Sequence, residues 1–272
     1  MRMRWMMRGT VVGVFGVICA ATVVGPVVGQ VSSGPATTRA AAVAADKPDP
    51  RRGNNGQVNQ TLMARHERLV AKAKAGNIDL YMLGDSITDN WQNGSAKVNW
   101  EANLGGWRPG DFGIGGDKTE NVLFRIENGE LDGVKPKVIV LMIGTNNLSG
   151  GTSPEETLRG VKAIVADLEA KQPAAKKLLL AIFPRAATAA DPLRKKVEAT
   201  NVLLAQENWP ASVKFMNINA KFLDAEGNLS KEIFPDLLHP NPKGYQIWAD
   251  AMRPTLVEWL GEPAATAPAT GR

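Results

Sequence analysis

Residues 80–89 read Leu-Tyr-Met-Leu-Gly-Asp-Ser-Ile-Thr-Asp, an apolar run that leads into a glycine turn and a serine. An apolar run bounded by Gly84 and Asp85 is typical of a strand buried in a parallel sheet. Ligands bind at the carboxyl ends of such strands, and a helix that begins there favours anions. We therefore predict that Ser86 is a nucleophile at this edge. A serine that only caps the next helix fits the same pattern, and on this stretch alone it is the stronger interpretation.

The chain beyond this stretch alternates predicted strands and helices. The apolar runs are 78–83, 138–143, 178–183 and 213–218. Helix start signals follow the last three of these runs, at Ser153 to Glu156, at Asp191-Pro192 and at Asn241-Pro242. Repeated strand–helix units of this kind predict an α/β fold of three layers (α/β/α), with one parallel sheet covered by helices on both faces.

Two predicted helices contain residues with a specific expectation. In the helix over 61–75, His66 lies on the apolar stripe, where a packed histidine bonded to the backbone is expected rather than a catalytic one. In the last helix, Pro254 is expected to produce a kink, because proline lacks the backbone N–H that the helix needs.

The two ends of the chain have a different composition. Residues 1–8 are basic and 11–28 are uncharged and apolar, with small residues before Gln30, which predicts a signal peptide over 1–29 and a secreted or periplasmic protein. An uncleaved membrane anchor is the alternative; after cleavage no stable membrane span is expected. Residues 30–60 are predicted to be a flexible linker, 61–262 the folded domain and 263–272 a disordered tail.

Composition excludes several functions. The formal net charge of +5 falls to 5 − 3 = +2 once Arg2, Arg4 and Arg8 are removed with the leader, and no dense basic cluster with aromatic residues predicts nucleic-acid binding. The single cysteine, Cys19, lies in the leader, so the mature domain has neither a disulfide nor a thiol nucleophile. Two histidines are too few for a multi-histidine metal site.

A nucleophilic serine needs a base, and the base needs a group that fixes its tautomer. His239 is the only credible base, because the other histidine lies on a helix stripe. Asp236, three residues earlier, can reach the imidazole, and Pro240 keeps His239 out of the α conformation. A purely local loop hydrogen bond is the alternative for this pair. Asp85 is expected to be a turn residue that binds backbone, not the orienting acid.

Two glycine-containing stretches could supply donors to an oxyanion. Residues 113–117 (Gly-Ile-Gly-Gly-Asp) precede a helical run, so the N–H of Gly116 could face a ligand; 144–147 (Gly-Thr-Asn-Asn) follow a strand, so the amide of Asn146 could join it. Simple turns would also explain both stretches. A dinucleotide loop is not expected, because Lys118 replaces the third glycine and no good strand precedes Gly113.

These residues resemble the SGNH hydrolases, also called GDSL esterases, in four blocks that occur in the family's order. The blocks are 84–86, 113–117, 144–147 and 236–239. Residues 125–131 and 135–140 are especially similar to the catalytic subunits of platelet-activating factor acetylhydrolase and their bacterial relatives. The resemblance implies a flavodoxin-like sheet, a Ser86–His239–Asp236 triad, an oxyanion hole of Ser86 N–H, Gly116 and Asn146, and no metal or other cofactor.

The resemblance also gives an expectation for the substrate. Ile87 and Leu238 flank the nucleophile and the base and are expected to narrow the acyl pocket, so a short acyl group such as acetyl is expected. The resemblance implies a carbohydrate or another small polar alcohol, because polar, secreted relatives often deacetylate carbohydrates. The alternatives are a phospholipid or lysophospholipid ester, acyl transfer to another alcohol, and a non-catalytic carbohydrate-binding scaffold. One departure from the family is Asp111, where many relatives carry Asn.

Overall fold

The computed structural model describes residues 13, 43–53, 55–92 and 96–265 of the 272-residue chain. The helices are α1 (Gln60–Ala75), α2 (Ser86–Gln92), α3 (Lys97–Leu104), α4 (Thr119–Arg125), α5 (Thr145–Ser149), α6 (Pro154–Lys171), α7 (Pro192–Gln206) and α8 (Pro242–Leu260). The strands are β1 (Leu80–Gly84), β2 (Pro109–Gly113), β3 (Val138–Met142), β4 (Lys176–Leu180) and β5 (Val213–Met216).

The five strands form one parallel sheet in the order β2-β1-β3-β4-β5. This is the flavodoxin-like order, and the three-layer α/β prediction is confirmed. The chain reverses direction across the sheet between β1 and β3. Ligands of such folds bind at this point, outside the carboxyl ends of the strands.

Both faces of the sheet are buried, because alternate residues of a strand point to opposite sides. In β1, Tyr81 and Leu83 pack in the apolar cluster that includes residues of α1, α4, α6 and α7. Leu80 and Met82 pack in the other cluster, with residues of α2, α3 and α8. The near-continuous apolar strands of the sequence reflect this two-sided burial.

Strand β2 is the main correction to the sequence prediction. It reads Pro-Gly-Asp-Phe-Gly, which lacks the β-branched residues typical of strands, and the prediction that no strand precedes the 113–117 block is wrong. Proline is tolerated because β2 is an edge strand and Pro109 is its first residue. Gly113 is required by packing, because a Cβ there would collide with the backbone of Asp85 and Asp89. Lys118 alone now excludes the dinucleotide motif.

Two single-residue expectations can be compared with the structure. His66 is buried, and its Nε2 lies 3.1 Å from the carbonyl oxygen of Asn128, which confirms a packed histidine bonded to backbone. Its Nδ1 also lies 3.3 Å from Glu130 Oε2. Helix α8 continues through Pro254 to its last residue, Leu260, and the kink expected at Pro254 stays a prediction.

The segment predicted as a linker is ordered in its second half. The N–H of Asp49 donates to the carbonyl of Glu120 (3.0 Å), and Ala45 is buried against the domain. The structure therefore differs from a flexible linker over residues 43–53 and 55–59. Residues 30–42 and the predicted signal peptide, apart from Gly13, lie outside the described residues, as do 266–272 of the predicted tail. No helix in the described ranges is long and apolar enough to cross a bilayer.

Candidate active site

Ser86 is the first residue of α2, and only Asp85 separates it from Gly84, where β1 ends. The turn between them is held by Asp85, whose Oδ1 accepts the backbone N–H of Ile87 at 2.9 Å. Asp85 therefore binds backbone, as predicted from the sequence. Gly84 cannot carry a side chain, because a Cβ there would overlap Thr88 and the carbonyl of Met142. The tight turn places a half-buried Ser86 at the switch point of the sheet.

His239 and Asp236 come from the loop before α8. Asp236 Oδ1 accepts the backbone N–H groups of Leu238 (3.0 Å) and His239 (2.7 Å), so the loop folds around this carboxylate. Its other oxygen, Oδ2, lies 2.6 Å from His239 Nδ1. Asn241 then caps α8 by accepting two backbone N–H groups, and this cap ends the loop.

The two parts of the site meet at the imidazole. His239 Nε2 lies 2.9 Å from Ser86 Oγ, although the residues are 153 positions apart in sequence. The structure thus brings together the serine, histidine and aspartate that the sequence singled out. The bond between Asp236 and Nδ1 leaves Nε2 able to accept the serine proton, as general-base activation requires.

The environment of Asp236 keeps it ionised. Partial burial alone would raise the pKa of Asp236, but the hydrogen bonds from the backbone N–H and the side chain of His239, and from the backbone N–H of Leu238, hold that pKa below its usual value. An ionised carboxylate hydrogen-bonded to Nδ1 holds the imidazole in one orientation toward Ser86.

The 113–117 loop lies beside Ser86. A Cβ built on Gly115 would lie 3.7 Å from the Cβ of Ser86, and Gly116 has a φ of 80°, which only glycine adopts at low cost. Gly115 N–H donates to Asp89 Oδ2 at 3.2 Å. The N–H groups of Gly116 and Ser86 have no hydrogen-bond acceptor within the described part of the chain. Two backbone donors near the hydroxyl are therefore available to a bound group.

Asn146 is the third predicted donor. Its Nδ2 donates to the carbonyl of Asp117 at 2.9 Å and lies 3.5 Å from Asp85 Oδ2. The bond to Asp117 fixes the amide against the end of the 113–117 loop. The longer contact is weak, so the second N–H of the amide remains able to donate to a substrate oxygen.

The two predicted pocket residues are in different environments. Ile87 is 1% exposed and packs in the core cluster with the residues of α2, α3 and α8, so its side chain offers almost no surface to a substrate. Leu238 is half-buried next to His239. The position of Leu238 is therefore compatible with its predicted role in the acyl pocket. The burial of Ile87 makes a direct contact between its side chain and a substrate much less favourable.

A buried ionic network lies beside the 113–117 loop. The Arg125 guanidinium is almost fully buried; it donates to Asp117 Oδ2 at 2.8 Å, to Glu130 and to the carbonyl of Phe112 at 3.1 Å. A buried cation of this kind is stabilised by the two carboxylates that face it. The network ties the loop that carries Gly116 to the end of β2.

Three buried aspartates near the site have shifted pKa values. Burial raises the pKa of Asp85 to about 7 and that of Asp111 to about 7, in each case against a lowering effect of a backbone N–H bond. Burial also raises the pKa of Asp117 to about 6, although the charges of Arg125 and Arg51 oppose this shift. Such clusters of shifted carboxyl groups are more common at functional sites than elsewhere.

Sequence reasoning missed two arginines at the site. Arg51 donates through Nη1 to the carbonyl of Gly115, and Arg65 pairs with Asp89 and donates to the carbonyl of Gly113 at 3.2 Å. Arg51 lies in the stretch assigned to a linker, which has no periodicity that could have revealed it. Arg65 lies on α1 beside His66 and carries no motif.

Comparison with known proteins gives a consistent result. A sequence model of the GDSL-like lipase/acylhydrolase family matches residues 82–247. The human platelet-activating factor acetylhydrolase IB subunit alpha2 is 33% identical over 215 residues, which cover 78% of this chain and 91% of that subunit. The human alpha1 subunit is 32% identical over 220 residues, with 80% and 91% covered.

Solved structures agree on the fold. A GDSL-like lipase from Bacteroides thetaiotaomicron aligns with a TM-score of 0.56 at 18% identity, covering 73% of this chain and 97% of that one. A variant of an acetyl-xylooligosaccharide esterase from Geobacillus aligns with a TM-score of 0.52 at 20% identity, covering 67% and 94%. At these identities the likeness is one of fold.

Proposed function

The chain belongs to the GDSL-like lipase/acylhydrolase family and is an ester hydrolase, and we propose that it is a secreted serine esterase for short acyl esters of polar alcohols. The observation that carries this proposal is the continuous contact from Asp236 through His239 to Ser86, with distances of 2.6 and 2.9 Å. The contact of all three side chains argues against a non-catalytic scaffold.

In the acylation step, Ser86 Oγ attacks the ester carbonyl carbon while His239 Nε2 takes the hydroxyl proton. Asp236 holds the ring and stabilises the imidazolium that forms. The ester C–O bond then breaks, and the alcohol leaves with the proton from Nε2. Water attacks the acyl-serine in the same way, and the carboxylic acid is released as Ser86 regains its proton.

The negative charge on the carbonyl oxygen forms next to the available donors. The N–H groups of Ser86 and Gly116 and the amide of Asn146 act as the oxyanion hole. Fixed donors of this type stabilise the tetrahedral intermediate without reorganisation during the reaction. The beginning of α2 at Ser86 adds a partial positive charge at the same point.

An acetyl ester of a carbohydrate or another small polar alcohol is the substrate class we favour. A cleft of about 540 Å³ extends from Gly116 along Arg51, Lys118, Gly150 and Gly151. Its charged side chains are of both signs, and most of them are paired, as in Lys118 with Glu120. A neutral ligand with many hydroxyl groups suits such a lining better than an acyl chain does.

One other substrate class has specific support. The names of the curated relatives, acetylhydrolases of platelet-activating factor, support a phospholipid acetyl ester. Transfer of the acyl group to another alcohol would use the same acyl-enzyme.

The proposal of secretion rests on the apolar run 11–28, which lies outside the described residues except for Gly13.

One set of assays tests the proposal. The purified protein is incubated with p-nitrophenyl esters of increasing acyl length, with acetylated xylo-oligosaccharides and with an acetylated phospholipid, beside Ser86→Ala. We expect the highest kcat/KM on acetyl esters, with a sugar ester preferred to the phospholipid. Full activity of Ser86→Ala would refute the mechanism, and a preference for long acyl chains would refute the substrate class. An added alcohol acceptor distinguishes transfer from hydrolysis.

A further inference from the structure

The segment that precedes α1 contacts the 113–117 loop, which carries Gly116. We call residues 44–53 the N-terminal strap. It is fixed to the start of α4 by three hydrogen bonds: Asp49 N–H to the Glu120 carbonyl (3.0 Å), Asn121 Nδ2 to the Asp49 carbonyl (3.0 Å) and Thr119 Oγ1 to the Ala45 carbonyl (2.8 Å). The strap lies outside residues 82–247, the part that matches the family. Its contacts therefore lie outside the part of the chain that the family model matches.

Arg51 extends from the strap to the loop that carries Gly116. Its Nη1 donates to the carbonyl of Gly115 and lies 3.8 Å from Asp117 Oδ1. The guanidinium occupies the space that a Cβ on Gly116 would need. Its backbone is anchored as well, because the Arg51 carbonyl accepts the N–H of Asn59 at 2.8 Å. The cation is thus held against one peptide group of the loop.

That peptide group is the one that matters for catalysis. The carbonyl of Gly115 and the N–H of Gly116 belong to the same planar amide, so a bond to the carbonyl oxygen fixes the direction of the N–H. A cationic donor on the oxygen also withdraws electron density and makes the N–H a stronger donor, since hydrogen bonds in series polarise one another.

We propose that Arg51 is a positioning residue for the esterase reaction, which orients and polarises the Gly115–Gly116 peptide so that the Gly116 N–H stabilises the oxyanion. This inference rests on the proposed function, in which Gly116 is an oxyanion donor. It predicts a loss that appears in kcat, because the interaction strengthens only as the oxyanion forms.

Arg52 provides a matched control. It is the next residue of the strap and has the same charge, but it bonds Asp49 Oδ1 and the carbonyl of Gly56, both at 3.2 Å, and not the 113–117 loop. If arginines serve only to hold the strap together, variants at both positions should behave alike.

The test compares Arg51→Met, Arg51→Lys and Arg52→Met in the full chain. Methionine keeps an apolar stem of similar length, so the strap can still pack. Readouts are kcat and KM for p-nitrophenyl acetate, the thermal midpoint, and the affinity of a boronic acid that mimics the tetrahedral intermediate. We expect kcat of Arg51→Met to fall about 10- to 100-fold with KM within about twofold, boronate affinity to fall by a similar factor, Arg51→Lys to recover part of kcat, and Arg52→Met to match the wild type.

Several results would overturn the inference. These are an unchanged kcat in Arg51→Met, an equal loss in Arg52→Met, or a rise in KM alone, which would make Arg51 a substrate-binding group. If Arg51→Met does not fold, Arg51→Lys decides: no loss of kcat and boronate affinity, or a loss equal to that of Arg52→Met, contradicts the inference. An active Ser86→Ala variant would instead show that the proposed function itself is wrong, so the two failures are distinguishable.

Discussion

Ser86 Oγ lies 2.9 Å from His239 Nε2, across a sheet edge that joins the first strand of the domain to the loop before its last helix. Two elements that are far apart in the sequence must therefore pack correctly before the hydroxyl of Ser86 contacts the imidazole of His239. The hydrogen bond from the Tyr245 hydroxyl on α8 to the Ile87 carbonyl on α2, 2.8 Å long, holds them together directly. The site thus depends on the tertiary fold and not on a local motif.

Asp236→Asn should lower kcat about ten-thousandfold while the protein remains folded. The asparagine oxygen can still accept the backbone N–H groups of Leu238 and His239, so the loop is retained. Its amide would face His239 Nδ1 as a donor and favour the tautomer with a proton on Nε2, which cannot take the serine proton. Steady-state kinetics and circular dichroism test this, and a loss of less than tenfold would contradict the assigned role.

Asn146→Ala should lower kcat about 10²- to 10³-fold with a much smaller change in KM, because an oxyanion donor acts mainly in the transition state. The bond to the Asp117 carbonyl is lost as well, so the thermal midpoint is measured in parallel. Asn128→Ala, which removes a bond from Nδ2 to the Phe124 carbonyl on the exposed surface, is the control. Equal losses of kcat in both variants would argue against an oxyanion role.

Asp111→Asn should make the protein more stable at pH 8 and flatten the pH dependence of its stability. Burial raises the pKa of Asp111 to about 7, above its unfolded value, so its contribution is present at low pH and is lost as the pH rises through the range from about 4 to 7. The lost stability is on the order of a few kcal/mol. An uncharged amide still accepts the Gly113 N–H, which lies 2.8 Å from Asp111 Oδ1.

Urea titrations at pH 5 and pH 8 measure this effect. The wild-type free energy of unfolding should fall between these values, and that of Asp111→Asn should fall less. Asp132→Asn, at an exposed position, serves as the control and should follow the wild type. Parallel pH profiles for all three proteins would contradict the assignment.

The sequence was sufficient for the fold class and for the serine, histidine and aspartate that the structure brings into contact. Continuous apolar runs revealed four strands, and capping signals such as Ser153 with Glu156 marked the helices; both observations report local physics. Strand β2 was not predicted, because glycine and proline in it contradict strand propensity. These residues instead fit the close contacts of β2 with α2 and β1. Tertiary context overrode the local preference.

The support around the site could not be predicted from the sequence. Arg51 and Arg125 act through long-range contacts, with Gly115 64 residues away and with the Phe112 carbonyl in another element. Nothing in a single sequence indicates which arginines become buried or turn to a loop. Such partners depend on the packing of the finished fold.

Covalent labelling of the nucleophile tests the central claim most directly. The protein is treated with a fluorophosphonate, its esterase activity is followed, and peptide mass spectrometry locates the adduct. We predict that a single phosphonyl group attaches to Ser86 and that activity is lost in proportion to labelling. Complete inactivation with the adduct on another residue, or full labelling of Ser86 with activity retained, would contradict the account.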